Sequence, residues 1–167
     1  MNNIYLTKLR KRKYMDDFLN KVLPYNEKAD YKLDEGLPDI LTKINSNNYI
    51  QTLCSKRSSF KNPDCHHISY VEVCYTAEIE LCLFREIIPL LFLKLDLDPD
   101  ARLSYLFKWP RPNPYYLSAS TPVGLGYMDD KNHFLINTIK INLESNFKDT
   151  HTNFWNILEN SLTNIKP

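Results

Sequence analysis

With 167 residues, 43% of them apolar and 25% charged, the chain can bury one core and is too apolar for wholesale disorder. Three glycines against ten prolines disfavour a glycine-rich phosphate loop or a dinucleotide fold. A formal net charge of +1 gives the molecule no overall field that would draw in nucleic acid.

The first segment, Ile4 to Leu23, has a helical period: Leu6 and Leu9, then Tyr14 with Phe18 and Met15 with Leu19 and Val22, recur at three- and four-residue spacing. This start is polar and basic with no apolar signal segment. Lys8, Arg10, Lys11, Arg12 and Lys13 form a basic run that reads as a solvated helix face, with a phosphate-contact patch as the alternative. Pro24 is expected to end this helix, because it supplies no amide donor. A second helix is expected over Leu37 to Ile44, with Pro38 in its first turn and Ile40, Leu41 and Ile44 inward. Ser46 to Asn48 is turn-like. Three strand-type runs follow, Tyr49 to Leu53, Ile68 to Thr76 and Ile79 to Phe84; the second carries apolar residues on both faces, as a strand covered on both sides does.

The most apolar stretch, Ile79 to Leu95, holds Glu80, Arg85, Glu86, Pro89 and Lys94; it is too short and too charged to span a bilayer, so no membrane partner is expected. From Leu103 to Tyr116 three prolines, Pro110, Pro112 and Pro114, stand among aromatic residues, which predicts irregular structure. Val123 to Met128 and His133 to Leu143 flank Asp129-Asp130-Lys131-Asn132, a hairpin-turn sequence. Asp149 to Ile165 reads as a helix with Phe154, Ile157, Leu158, Leu162 and Ile165 on one side. Residues 1–167 are therefore expected to form a single α+β domain: a mixed or antiparallel sheet with two N-terminal helices and a C-terminal helix.

Cys54, Cys65, His66, His67, Cys74 and Cys82 are the densest set of candidate ligands. No Cys-x-x-Cys pair is present, so zinc is not expected. The four cysteines read either as disulfides or as buried thiols. His67-Ile68-Ser69-Tyr70 has the form of one half of a two-histidine phosphodiesterase pattern, in which one histidine acts as acid and the other as base. The second half is incomplete: His151-Thr152-Asn153 has Asn where Ser or Thr is needed, and His133-Phe134-Leu135 does not fit. Tyr14-Met15-Asp16-Asp17 and Tyr127-Met128-Asp129-Asp130 spell a polymerase tetrapeptide, but the chain is too short for that palm.

Across residues 4–82 the sequence resembles the C-terminal half of the ribonuclease T-two family, which includes the plant S-RNases; residues 83–167 stay unassigned. Three features carry the resemblance: Lys13-Tyr14 followed by Asp16-Asp17-Phe18-Leu19, then Tyr31-Lys32-Leu33-Asp34 with Ile40 and Ile44, then Ile50 to Cys54 with Tyr70-Val71-Glu72-Val73-Cys74 and Cys82. The resemblance implies disulfides at Cys54, Cys74 and Cys82, a secreted or lumenal setting rather than a cytoplasmic one, RNA as partner, and no cofactor. The family's two catalytic histidine segments are missing. Phe107-Lys108-Trp109-Pro110, Thr121 to Leu125 and Thr150 to Trp155 are faint, out-of-order echoes of upstream parts, with Val123 where the family has histidine.

The family's reaction needs one group to take the 2′-hydroxyl proton and another to protonate the leaving oxygen. This chain is accordingly expected to be a ribonuclease T-two-like fragment or degenerate homologue, RNA-related and without activity of its own. If it cuts RNA, His67 and His151 are the candidate catalytic residues, with His66 beside them. The alternative is a non-enzymatic protein-interaction domain that uses the Tyr105 to Tyr116 segment, where prolines rigidify and aromatics supply contact area, unless that segment only packs over the core.

Overall fold

The computed structural model describes residues 4–24, 36–58, 60, 67–95, 98–108 and 136–167. Helix α1, Lys8–Asp17, starts where the Thr7 hydroxyl accepts the Arg10 amide at 3.2 Å. It runs on through a π-turn, Phe18–Val22, in which the Leu23 amide reaches the Phe18 carbonyl. A second π-turn, Leu83–Ile87, does the same with the Ile88 amide and the Leu83 carbonyl. Each precedes a proline, Pro24 and Pro89. A proline ring has no amide proton and crowds the carbonyl four residues back. Widening the turn before it makes room for the ring. Pro24 is thus accommodated as a helical residue, where a stop was expected.

Helix α2, Leu37–Asn45, follows Gly36, whose φ of +75° suits a residue without Cβ. The strands are β1, Ile50–Lys56, and β2, Ile68–Tyr75. Next come a 3₁₀ turn, Ala77–Ile79, a helical turn α3, Glu80–Cys82, the second π-turn and α4, Ile88–Lys94. Strands β3, Arg102–Lys108, and β4, Thr138–Glu144, precede the long C-terminal helix α5, Lys148–Thr163. The expected strand over Ile79 to Phe84 is therefore helical. Its six residues alternate like a strand, but Ile79, Leu83, Ile87, Leu91 and Leu95 are all buried at a spacing of four, and Leu81 is exposed. Residues 103–108, the first part of the stretch expected to be irregular, belong to strand β3 because the prolines begin only at Pro110. The expected strand over Val123 to Met128 and its turn lie outside the described residues.

Among the described residues the sheet is antiparallel, four-stranded and ordered β1-β2-β4-β3. As the apolar residues on both of its faces predicted, β2 is covered on both faces, and in the sheet it pairs with β1 on one edge and β4 on the other. Val71 and Val73 lie opposite Ile141 and Ile139, and these side chains join α2, α4 and α5 in the main core around Trp155, Phe154 and Leu158. Cys74 points to the other face, in a smaller cluster with Leu6, Tyr14, Leu53 and Ile136. Asn47 ties the turn after α2 to the end of α5. Its amide donates to the carbonyls of Thr163 and Ile165 at 3.0 and 2.7 Å, and its oxygen accepts the Tyr49 amide at 2.8 Å.

Side chains close the outer edge of β1. Asn45 accepts the Thr52 amide at 2.8 Å and donates to the Thr52 hydroxyl at 2.8 Å. Lys11, on the α1 stripe that also carries Tyr14 and Phe18, donates to the carbonyls of Ile50 and Asn45 and to Gln51 Oε1, at 2.6, 2.7 and 2.8 Å. Those bonds use the three protons of its ammonium. Burial still pushes Lys11 down to about 8, with no carboxylate among these partners.

Replacing Asn45 with Ala leaves the buried Thr52 amide without its acceptor. The expected loss is about 1–3 kcal/mol in urea unfolding; a change under about 0.5 kcal/mol, the scale of an ordinary surface substitution, would mean that water or a neighbour takes the bond.

Candidate functional site

The start of β2, the end of β4 and the first turn of α5 meet at one end of the sheet. The Ser145 amide donates to the His67 carbonyl at 3.1 Å, carrying the β2–β4 ladder one step past Ile68 and Glu144. His151, in the first turn of α5, reaches back to β2, where Ser69 Oγ lies 2.7 Å from its Nδ1. Its Nε2 lies 2.8 Å from the Ser145 carbonyl oxygen. A carbonyl only accepts, so Nε2 carries the proton. Burial holds His151 below the usual histidine range, so the ring is neutral near pH 7 and Nδ1 accepts from the Ser69 hydroxyl.

The network continues outward. The Ser58 amide donates to Ser69 Oγ at 3.1 Å, and the Ser58 hydroxyl lies 3.0 Å from His67 Nδ1. On the other side the Ser145 and Thr150 hydroxyls donate to the Asp98 carboxylate at 2.5 and 3.2 Å. The Ser145 bond, ahead of the others, holds Asp98 below the ordinary carboxylate range. Phe60 joins the two imidazoles: His67 stacks on it at 4.0 Å and 19°, and His151 meets it edge-on at 5.0 Å and 80°. Its φ of +55° puts a bulky residue in the left-handed region, at a cost of about 1–2 kcal/mol. The contacts with both rings help to offset that cost.

Both predicted histidines are therefore at one place. His151 is nonetheless poorly set for acid–base work. His151 is 1% exposed with both ring nitrogens bonded inside the protein, and Ser69, at 0%, is closed to any substrate it would attack. His66 lies outside the described residues. The Ser69 position was visible in the sequence as the third residue of the His-x-Ser pattern. Ser58, Ser145 and Asp98 carried no such signal, because each acts through a loop that only the fold brings near.

Cys54, Cys74 and Cys82 are free thiols, so the disulfides that the family resemblance implies are not formed among them. In the β1–β2 register Cys74 faces Gln51, and Cys54, just past a bulge, faces Glu72. The Cys54 sulfur lies 3.8 Å from the Tyr70 phenol oxygen, and the Cys82 thiol contacts Glu86 Oε2 at 3.5 Å. Cys74 is fully buried, and burial pushes its thiol up to about 12. Cys65 lies outside the described residues. Among the described residues no three His, Cys, Asp or Glu side chains form a metal-binding group, and no helix is long and apolar enough to cross a membrane.

The aromatic segment starts inside β3. Tyr105 and Phe107 share the face of the sheet that meets the helices, with ring centroids 6.1 Å apart; Phe84 stacks on Phe107 at 4.0 Å and Phe92 meets Tyr105 at 6.3 Å. Tyr105 is 47% exposed and Leu106, on the opposite face, 53%. Residues 109–116 lie outside the described residues.

The chain matches no protein-family model, no curated protein and no solved structure. The ribonuclease resemblance thus has no support beyond the residues quoted for it.

The His151 environment sets a pH dependence. An unfolded histidine takes up its proton near about pH 6.5, whereas the buried one resists it. Between that pH and the lower folded value the unfolded state holds more protons, so stability is intact above about 6.5 and is lost as pH falls. The urea midpoint is expected to drop more between pH 7.5 and 5.5 in the native chain than in His151→Gln. Parallel slopes would show that His151 ionises freely in the folded protein.

Proposed function

We propose that this domain is a non-catalytic protein-interaction module, and that its partner is an extended polypeptide with apolar or aromatic side chains laid along β3. The observation that carries the reading is the contrast between the sheet's two edges. On β1 the outward backbone groups of Ile50 and Thr52 are taken by Lys11 and Asn45. On β3, pairing among the described residues is with β4 alone, and half-exposed Tyr105 and Leu106 stand on its two faces. An added strand would take main-chain bonds from that edge and seat alternate side chains against the Phe92–Tyr105–Phe107–Phe84 ladder. The saturated state of His151 supports the non-catalytic half of the reading, since an acid–base pair needs a nitrogen free to meet substrate.

The ribonuclease reading keeps one observation in its favour, the convergence of His67 and His151 on Phe60. One experiment addresses both. Random 12-residue peptides are selected against the purified chain, and the same preparation is incubated with RNA at mildly acidic pH. Selected peptides are expected to bind Tyr105→Asp at least about tenfold more weakly, the effect of one lost interface anchor. They should bind Leu9→Asp, altered at an exposed apolar residue of α1, as well as they bind the native chain. Peptides indifferent to Tyr105→Asp would overturn the β3 surface; RNA cleavage abolished by His67→Ala would overturn the non-catalytic reading.

A further inference from the structure

The basic run of α1 divides on folding. Lys11 turns inward, and its three protons are spent on protein acceptors. Arg10 donates to the Tyr5 carbonyl at 3.0 Å. Lys8 and Arg12, one helical turn apart, are exposed, and among the described residues neither has a hydrogen bond or ion pair. Both line a cavity of about 660 Å³, between the start of α1 and the near ends of β1 and β2, whose walls include Lys11, Tyr5, Tyr49 and Glu78.

We propose that this cavity is a binding site for a small phosphorylated ligand that carries a planar ring, of mononucleotide size. The volume lies within the range of small-molecule sites. Three cations face one carboxylate, Glu78, which accepts the Thr76 hydroxyl at 3.4 Å. A chain of formal net charge +1 has gathered positive charge here. Like charges four residues apart on a helix repel, and a phosphate dianion between them removes that repulsion.

Each side chain has a distinct role. The Arg12 guanidinium offers the planar fork that fits two phosphate oxygens, and Lys8 adds a point charge one turn earlier. Lys11 has no proton left for a ligand, so it contributes field rather than contact. Tyr5 is held edge-on against Tyr75 at 6.1 Å, and Tyr49 is fixed at its backbone, where its carbonyl accepts the Thr76 amide at 2.9 Å. The two rings give the cavity flat apolar surfaces that a bare phosphate does not use. The site is on a different part of the sheet from β3, and the inference does not rest on the peptide-binding reading.

The test is an amide chemical-shift titration of the full chain with adenosine monophosphate, inorganic phosphate, adenosine and a single-stranded RNA oligonucleotide. Adenosine monophosphate is expected to shift residues 5–12, 49 and 76–78, to bind more tightly than inorganic phosphate or adenosine, and to weaken as salt rises. The Lys8→Ala/Arg12→Ala double variant should keep the native unfolding midpoint and lose affinity by at least about tenfold, as befits two charge-assisted contacts. The absence of shifts in these residues, affinity unchanged in the double variant, or binding confined to RNA would overturn the proposal.

Discussion

Lys11 and Asn45 occupy the place of a further strand along β1, and the closure of that edge depends on them. A sheet edge presents backbone donors and acceptors that water or another strand must satisfy. Here the Thr52 amide and the Ile50 carbonyl are met by an amide side chain from the end of α2 and an ammonium from α1. Because Lys11 sits on the same stripe as Tyr14 and Phe18, α1 is held beside β1. It sends Phe18 to the main core and Tyr14 to the cluster on the opposite face. The arrangement lowers the Lys11 ammonium to about 8, and a lysine in that position does more than solvate a helix.

In the histidine cluster, proximity of acid–base groups comes with burial. Two imidazoles around one phenyl ring, with a serine hydroxyl 2.7 Å from a nitrogen, have the composition of an acid–base site. The chemistry is decided by what the remaining atoms do. The Nε2–H of His151 is spent on the Ser145 carbonyl, and the Ser69 hydroxyl is sealed from solvent. Such a network fixes the geometry where β2, β4 and α5 meet, and a partly satisfied version of it would be costly in the same place. Within the fold the network acts as a polar clamp that ties β2, β4 and α5 together.

Much of the fold was legible in the sequence because its strongest periods are long. The sixteen-residue helix α5 and the doubly covered strand β2 both follow from their apolar spacing. Ile79 to Phe84 misled because six residues can satisfy a period of two while the surrounding seventeen, through Leu95, satisfy a period near four. The proline cluster masked β3, though its own seven residues contain no proline. The histidines were legible as residues and not as a pair, since their separation of eighty-four positions is closed only by the β2–β4 register and the first turn of α5. The special role of Lys11 was hidden among its basic neighbours; only its three- and seven-residue distance from Tyr14 and Phe18 sets it apart.

The contrast between the β1 edge, closed by side chains, and the β3 edge, paired among the described residues with β4 alone, is tested most directly by amide hydrogen exchange on the intact chain, read residue by residue. The Thr52 amide is expected to exchange only with global unfolding, while the β3 amides that do not face β4 exchange orders of magnitude faster. Fast exchange at Thr52, or equal protection along the outer edge of β3, would contradict it.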